Sequence, residues 1–424
     1  MQIPRMFLDF RIVRDTRWIP AIADPRHAAS TALALVLGDL HGKRIAITAG
    51  SRGISNIGEI LAGAVAAVRA AGGDPFLVAS MGSHGGGTAH GQREILAHLG
   101  VTEANVGAPI STEMDVIELG TTARGVGVCT DRAAASADGI VVVGRVKPHT
   151  DFSGGIESGL LKMLAIGLGK AVGAKRYHAA FAKYDYESII REVAALNLAH
   201  LPIVAGLAIV DDNRGNTNTL EGIAPDVFVS AEERLLVHAR SLLSRLPFAK
   251  LDLLVVDEMG KNYSGTGMDT NVTGRAVDGR SQKSPSPVIE QLFVRRLSEH
   301  SEGNANGIGL ADFCTKTLAD SIDWPATYLN VLTAAQPACA RLPVVCVSDR
   351  EAIEYALIAA GIDDPREARI ARIANTLHMD TLVASGRALT ELENSEHYSI
   401  EDRIDAFAFD RDGNIPPIAM VATP

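Results

Sequence analysis

Three short apolar runs in this chain each stop at a polar loop, and that repetition limits the fold more than any other feature. RIAITAG (44–50) ends in Ser51-Arg52-Gly53-Ile54-Ser55-Asn56 and DPFLVAS (74–80) in Met81-Gly82-Ser83-His84-Gly85-Gly86-Gly87-Thr88. GIVVVG (139–144) ends in Arg145-Val146-Lys147-Pro148-His149. Between the first two runs, Ile57, Ile60, Leu61, Val65 and Val68 recur near 3.6 residues, which predicts a helix over 57–71. Ser55 or Asn56 is its expected N-cap and Gly72-Gly73 its stop. A second helix is expected over 89–99. Strand, helix, strand, helix implies right-handed crossovers and a parallel sheet. The carboxyl ends of parallel strands share one edge, where open α/β folds keep their chemistry. Arg52, His84 and His149 are therefore expected along one edge.

Size and charge set outer limits. A chain of 424 residues suggests two or three domains. A net charge of −10 with no basic stripe argues against nucleic-acid binding. No apolar run reaches the ~18 residues of a membrane span, and MQIPRMFLDFRIVR lacks a signal-peptide core. A cytoplasmic protein without membrane or nucleic-acid partners is expected, its oligomeric state left open. Cys129, Cys314, Cys339 and Cys346 form no C-x-x-C pair, so buried free thiols are expected in place of a zinc or iron–sulfur site.

The expected architecture is two α/β lobes with mostly parallel sheets and an active-site cleft between them. Residues 1–247 are expected to form the N-terminal domain, and residues 248–424 the C-terminal domain that closes the cleft. FLDFRIV reads as a strand and 28–40 as a short helix. LPIVAGLAIV (201–210) is a strand turning back through TNTLEGI as a hairpin, and 231–246 is an amphipathic helix. The second lobe opens at LDLLVVDEMG (251–260), followed by a long polar loop, 261–287, of the length that is usually functional or disordered. Strands are expected at TYLNVLTA and LPVVCVSD, and helices at 351–361 and 365–376. Glu157 reads as the N-cap of a helix over 158–168 or as a carboxylate facing substrate. Asp269 and Asn271 line the cleft or simply make a turn.

The order Arg52, His84, His149, His178, each on its own loop or helix end, resembles the nickel-dependent lactate racemase superfamily of 2-hydroxyacid racemases and epimerases. The matching pieces are Gly82-Ser83-His84, Pro148-His149 before Ser153-Gly154-Gly155, and His178 after a glycine-rich stretch. The resemblance implies a nickel-pincer nucleotide, a pyridinium mononucleotide holding nickel through carbon and sulfur. It implies His178 as the protein ligand to nickel and Arg52 as the grip on a small 2-hydroxyacid's carboxylate. It implies His84 and His149 as acid and base on the substrate hydroxyl. Proton-coupled hydride transfer would avoid a carbanion, and inversion asks for a base on each face. Gly85 and Gly86, before a helix, suit the nucleotide phosphate. Gly154, Gly155, Lys147 and Lys162 are further candidate cofactor contacts.

Two departures from the family pattern carry consequences. Ala49 stands where lactate-type members have an aspartate, and Ile156-Glu157 follows the Gly-Gly turn where they have the lysine that tethers the cofactor. A cofactor held without a covalent tether is expected, the alternative being that Lys162 replaces the tethering lysine through a local insertion. Arg275 is the stand-in for the family's substrate lysine, which points to a hydroxyacid other than lactate. Two rival readings remain. A nicotinamide-dependent hydroxyacid dehydrogenase lacks its Gly-x-Gly-x-x-Gly here. A non-catalytic small-molecule binding protein on the same scaffold is the other.

Overall fold

The structure, a computed structural model, describes residues 9–51, 53–276, 287–393, 395–405 and 407–418. It forms two compact units: Ile19–Leu243, and a second composed of Met1–Trp18 with Ser244–Pro424. The α/β character expected from the sequence is present in both. FLDFRIV does yield a strand, β1 (Phe10–Asp15), but it corrects the expected 1–247 boundary. Phe10 is buried with Leu253, Val255 and Phe293, and Val13 with Leu254 and Leu382. The opening segment therefore finds its apolar partners in the second unit.

Helix α1 (Pro25–Ala34) begins the Ile19–Leu243 unit. Its sheet is built from β2 (Arg44–Ala49), β3 (Asp74–Ala79), β4 (Ile110–Ser111), β7 (Gly139–Arg145), β8 (Ile203–Asp211) and β9 (Thr217–Ile223). A separate hairpin, β5 (Val116–Thr121) and β6 (Gly127–Asp131), intervenes in the chain. The sheet order is β4-β3-β2-β7-β8-β9, parallel throughout except for the β8–β9 hairpin. Helices α2 (Ile57–Ala70) and α3 (Ala89–His98) fall where the periodicity places them. Asn56 occupies the N-cap of α2 in a left-handed conformation and makes no side-chain capping bond. Successive residues of each strand face opposite layers. Ile45, Ile47, Val141 and Val143 pack with the residues of α1 and α2. Ala46, Ile140, Val142 and Ala208 pack under the second helical layer. That layer is α4 (Leu160–Lys162), α5 (Lys170–Phe181), α6 (Tyr186–His200) and α7 (Phe228–Leu242).

Strand order runs from β2 through β3 to β4 in one direction and from β7 through β8 to β9 in the other. The carboxyl ends of β2 and β7 thus flank a topological switch point, where open α/β sheets bind ligands. Their ladder pairs Ile45–Ile47 with Gly139–Val141. Beyond it, Thr48 Oγ1 bonds both the N–H and the C=O of Val143, at 2.8 and 3.2 Å. This side chain bridges the strands just before the loops diverge.

The second unit has one sheet of eight strands: β10 (Lys250–Met259), β11 (Val288–Leu297), β12 (Phe313–Thr315), β13 (Val344–Cys346), β14 (Ile370–Ile373), β15 (Thr381–Ser385) and β16 (Tyr398–Ile404), with β1. The order is β13-β12-β11-β10-β14-β15-β1-β16. Two expectations fail here. TYLNVLTA lies in helix α8 (Trp324–Thr333), because Asp323 caps Ala326 N–H and Pro325 favours a helix start. Residues 365–376 give a single turn and then β14, whose four residues are all buried inside the sheet. Within loop 261–287, Asp269 caps the short helix Thr270–Thr273 and accepts from Asn271 N–H. That is the turn reading of these two residues, while 277–286 lie outside the described residues. All four cysteines are buried free thiols. Among the described residues no helix is long and apolar enough to cross a membrane.

Candidate functional site

The loop that follows β7 is closed at its neck. Lys147 and Ser158 exchange N–H···O bonds of 3.1 and 3.2 Å, isolating 148–157 as a self-contained loop. Glu157 is buried within it. Its carboxylate accepts from His149 N–H and Gly154 N–H and pairs with Arg240 of α7 at 2.5 Å. Glu157 is therefore neither a helix cap nor turned toward substrate; it fastens the His149 backbone. Gly155 N–H donates to Glu187 of α6 at 2.8 Å. A Cβ at Gly154 would lie 2.2 Å from a Glu187 oxygen, so a side chain there would displace that carboxylate. The amides of the Ser-Gly-Gly turn, expected at a cofactor, are here bonded to two carboxylates.

Beyond the neck the backbone enters α4 and then a π-helical segment, Met163–Gly167. Such segments recur at functional sites. The start of α4 is capped by Glu232 of α7, fully buried, which accepts from Leu161 N–H at 2.9 Å. Burial raises this carboxyl to about 7 against the pull of the Leu161 and Leu160 amides. Gly159 lies so close that a Cβ there would stand 2.3 Å from the Glu232 carboxyl carbon.

A chain of aromatic rings joins two of the expected residues. His149, only 12% exposed, stacks on Phe152 at 4.1 Å. Phe152 stacks on Tyr186 at 3.4 Å, Tyr186 meets Phe181 at 4.3 Å, and Phe181 meets His178 edge-on at 5.3 Å. The Lys162 ammonium lies 5.8 Å from the Tyr186 ring centre. His178 is held below the ordinary imidazole range by burial first and by Lys162 second, while Asp151 opposes both. It is accordingly neutral near pH 7, with a lone pair available.

His84 stands at the carboxyl end of β3, exposed, with Nδ1 2.5 Å from Ser51 Oγ on the loop after β2. Its loop rests on the segment that carries His178. A Cβ at Gly82 would touch Ile166 and Ala174, and one at Gly87 would touch Ala171. Gly85 has φ +63° and packs against the Gly91 backbone, and Gly86 faces open space at φ +65°. Beneath them, Lys170 is fully buried at φ +55° and bonds Ala79 O and Asp131, each at 2.6 Å. This cation ties the start of α5 to the end of β3.

The structure therefore brings His84, His149, His178, Lys147 and Lys162 to the carboxyl-end edge of one sheet and the helical segment packed on it. Arg52 lies outside the described residues. Arg275 belongs to the other unit, where its guanidinium bonds Asp312 at 2.5 Å and the Ile289 and Glu290 carbonyls. Sequence reasoning missed Glu232, Lys170 and the rings of Phe152, Phe181 and Tyr186. Glu232 had a signal: it falls on the apolar stripe of α7 with Phe228, Leu235, Leu236 and Ala239. Lys170 had none, since its partner Asp131 is remote in the chain.

His178 offers a single imidazole lone pair, and among the described residues no three His, Cys, Asp or Glu side chains gather as a metal cage. Ile156, which follows the Gly154-Gly155 turn, is buried.

Residues 50–188 match the family model described as the lactate racemase N-terminal domain. Among solved structures, the chain is similar to the lactate racemase apoprotein from Thermoanaerobacterium thermosaccharolyticum. The two share 14% identity at a TM-score of 0.51, over 86% of this chain and 94% of that one. A comparison with curated proteins gives no match.

Proposed function

We propose, from the match of residues 50–188 to the lactate racemase N-terminal domain, that this chain racemises or epimerises a 2-hydroxyacid with the aid of a nickel-pincer nucleotide held without a covalent tether. The observation that carries this reading is the continuous aromatic path from His149 to His178, on the sheet edge where His84 also emerges. His178 would hold the metal, through a lone pair that burial and Lys162 keep unprotonated. Lys162 and Lys147 balance phosphate and carboxylate charge. When bound, the group supplies an acceptor for the hydride that leaves C2. His84 and His149 handle the proton of the substrate hydroxyl, one from each flank, and Arg52 fixes the carboxylate as a pivot.

The test is direct. Protein produced together with the cofactor-synthesis machinery is assayed for nickel and for inversion of single enantiomers of lactate, malate and phenyllactate. Near-stoichiometric nickel and loss of optical rotation are expected, with His178→Ala losing at least tenfold in bound nickel. Full nickel retention by His178→Ala removes the ligand assignment. Tight binding without turnover, or consumption of NAD, supports one of the rival readings.

A further inference from the structure

The end of the second sheet that carries β13 is apolar on its outer surface. Among the described residues β13 is an edge of the eight-stranded order, paired with β12. Of Val344, Val345, Cys346 and Val347 it buries Cys346 alone, and Val347 is 76% exposed. Leu342, just before the strand, is exposed as well. The register fixes where these side chains lie. Val344 stands beside Phe313, on the layer of helix α9 (Asp349–Ala359), and α9 turns Tyr355 and Ile358 outward. Val345 stands beside Cys314, on the opposite layer, which contains Val331 of α8. α8 turns Tyr328, Leu329 and Leu332 outward, the two leucines 71% and 69% exposed. Gln336 N–H folds back to Val331 O at 2.8 Å, so residues 334–343 lead the end of α8 to the start of β13.

The strand itself is blunted against further pairing. Val344 N–H bonds Asp312 O toward β12, so Pro343, Val345 and Val347 point their main-chain groups outward. Pro343 has no N–H, and the Val347 N–H is taken by the Glu351 carboxylate at 2.7 Å. Such devices protect an edge from strand addition. An extended peptide finds no ladder here, and the surface asks for a partner that brings side chains. Its size says which. Taking ~150–250 Å² for a whole side chain of this kind, the exposed fractions of these apolar residues amount to roughly 900 Å². The largest apolar patch of a monomer is about 300–600 Å², whereas each side of a stable interface buries about 800 Å². We propose that this face pairs with the same face of a second copy of the chain, about a two-fold axis, with β13 at its centre. A surface that meets itself needs both signs of charge in its rim. Arg341 adjoins Leu342, while Glu351 accepts from the Tyr355 hydroxyl at 3.1 Å and Glu354 precedes it.

A substitution enters a two-fold interface twice, which sharpens the test. Full-length protein is followed by sedimentation velocity over about 1–100 μM, the range that reveals a micromolar Kd. A dimer is expected to build up with concentration. Leu329→Glu with Leu332→Glu on α8, and separately Val347→Glu on β13, each set like charges against each other and are expected to weaken the dimer roughly a hundredfold or more. Val237→Glu, at an exposed position of α7 in the first unit, is expected to leave it unchanged. A wild-type chain that stays monomeric throughout overturns the proposal, whatever other protein the face binds. A dimer that survives both charged variants overturns it too, as does one that Val237→Glu dissolves equally.

Discussion

Glu232 shows how one side chain sets a pH response. Its folded-state value, about 7, lies above the ordinary carboxyl value of 4.5 because burial disfavours the charged form. The folded protein holds this proton more tightly than the unfolded chain. The stability it contributes is complete below about pH 4.5 and is lost as pH rises through 7. The two values imply a loss on the order of 3 kcal/mol across that window. Glu232→Gln keeps an acceptor for Leu161 N–H and removes the ionisation. Denaturant unfolding at a series of pH values is expected to show a shallower fall from pH 5 to 8 in this variant. An unchanged slope would place the titration elsewhere.

At the scale of elements, the junction of β3 and α5 depends on a buried ion pair. Lys170 adopts a left-handed conformation, which costs a non-glycine residue roughly 1–2 kcal/mol. It is held there by Asp131 and the Ala79 carbonyl. Removing one partner of a buried pair leaves an uncompensated charge, usually a loss of about 3–5 kcal/mol. Lys170→Met is expected to destabilise by that amount in urea unfolding, and Lys170→Met with Asp131→Asn by clearly less. Equal losses in the single and double variants would mean that packing matters here more than charge. The helices of the first unit were legible because the apolar residues of α2 are local and periodic. The edge carrying His84 and His149 was legible because parallel topology dictates it. Lys170 with Asp131 and Glu232 with Leu161 were not, since each joins residues distant in the chain. TYLNVLTA misled through its β-branched and aromatic residues, although Asp323 and Pro325 just before it announce a helix start.

At the scale of the whole molecule, the second unit is assembled from both ends of the sequence. β1 lies between β15 and β16, pairing Phe10 with Ser385 and with Ile404. Removing residues 1–18 is expected to raise amide hydrogen exchange throughout β15, β16 and β14, while β2, β3 and β7 keep their protection. Loss of protection in both sheets would show that the units do not fold separately. FLDFRIV was readable as a strand from its alternation, but which sheet it completes depends on partners more than 360 residues away. That distance has a consequence during synthesis. A ribosome adding ~5–20 residues per second needs on the order of 20–70 s to deliver the far strands after Phe10–Asp15 has emerged. The intervening Ile19–Leu243 unit can complete its own sheet in that interval. The nascent first strand must wait outside it, its backbone unpaired, which makes it the segment most in need of a chaperone's cover.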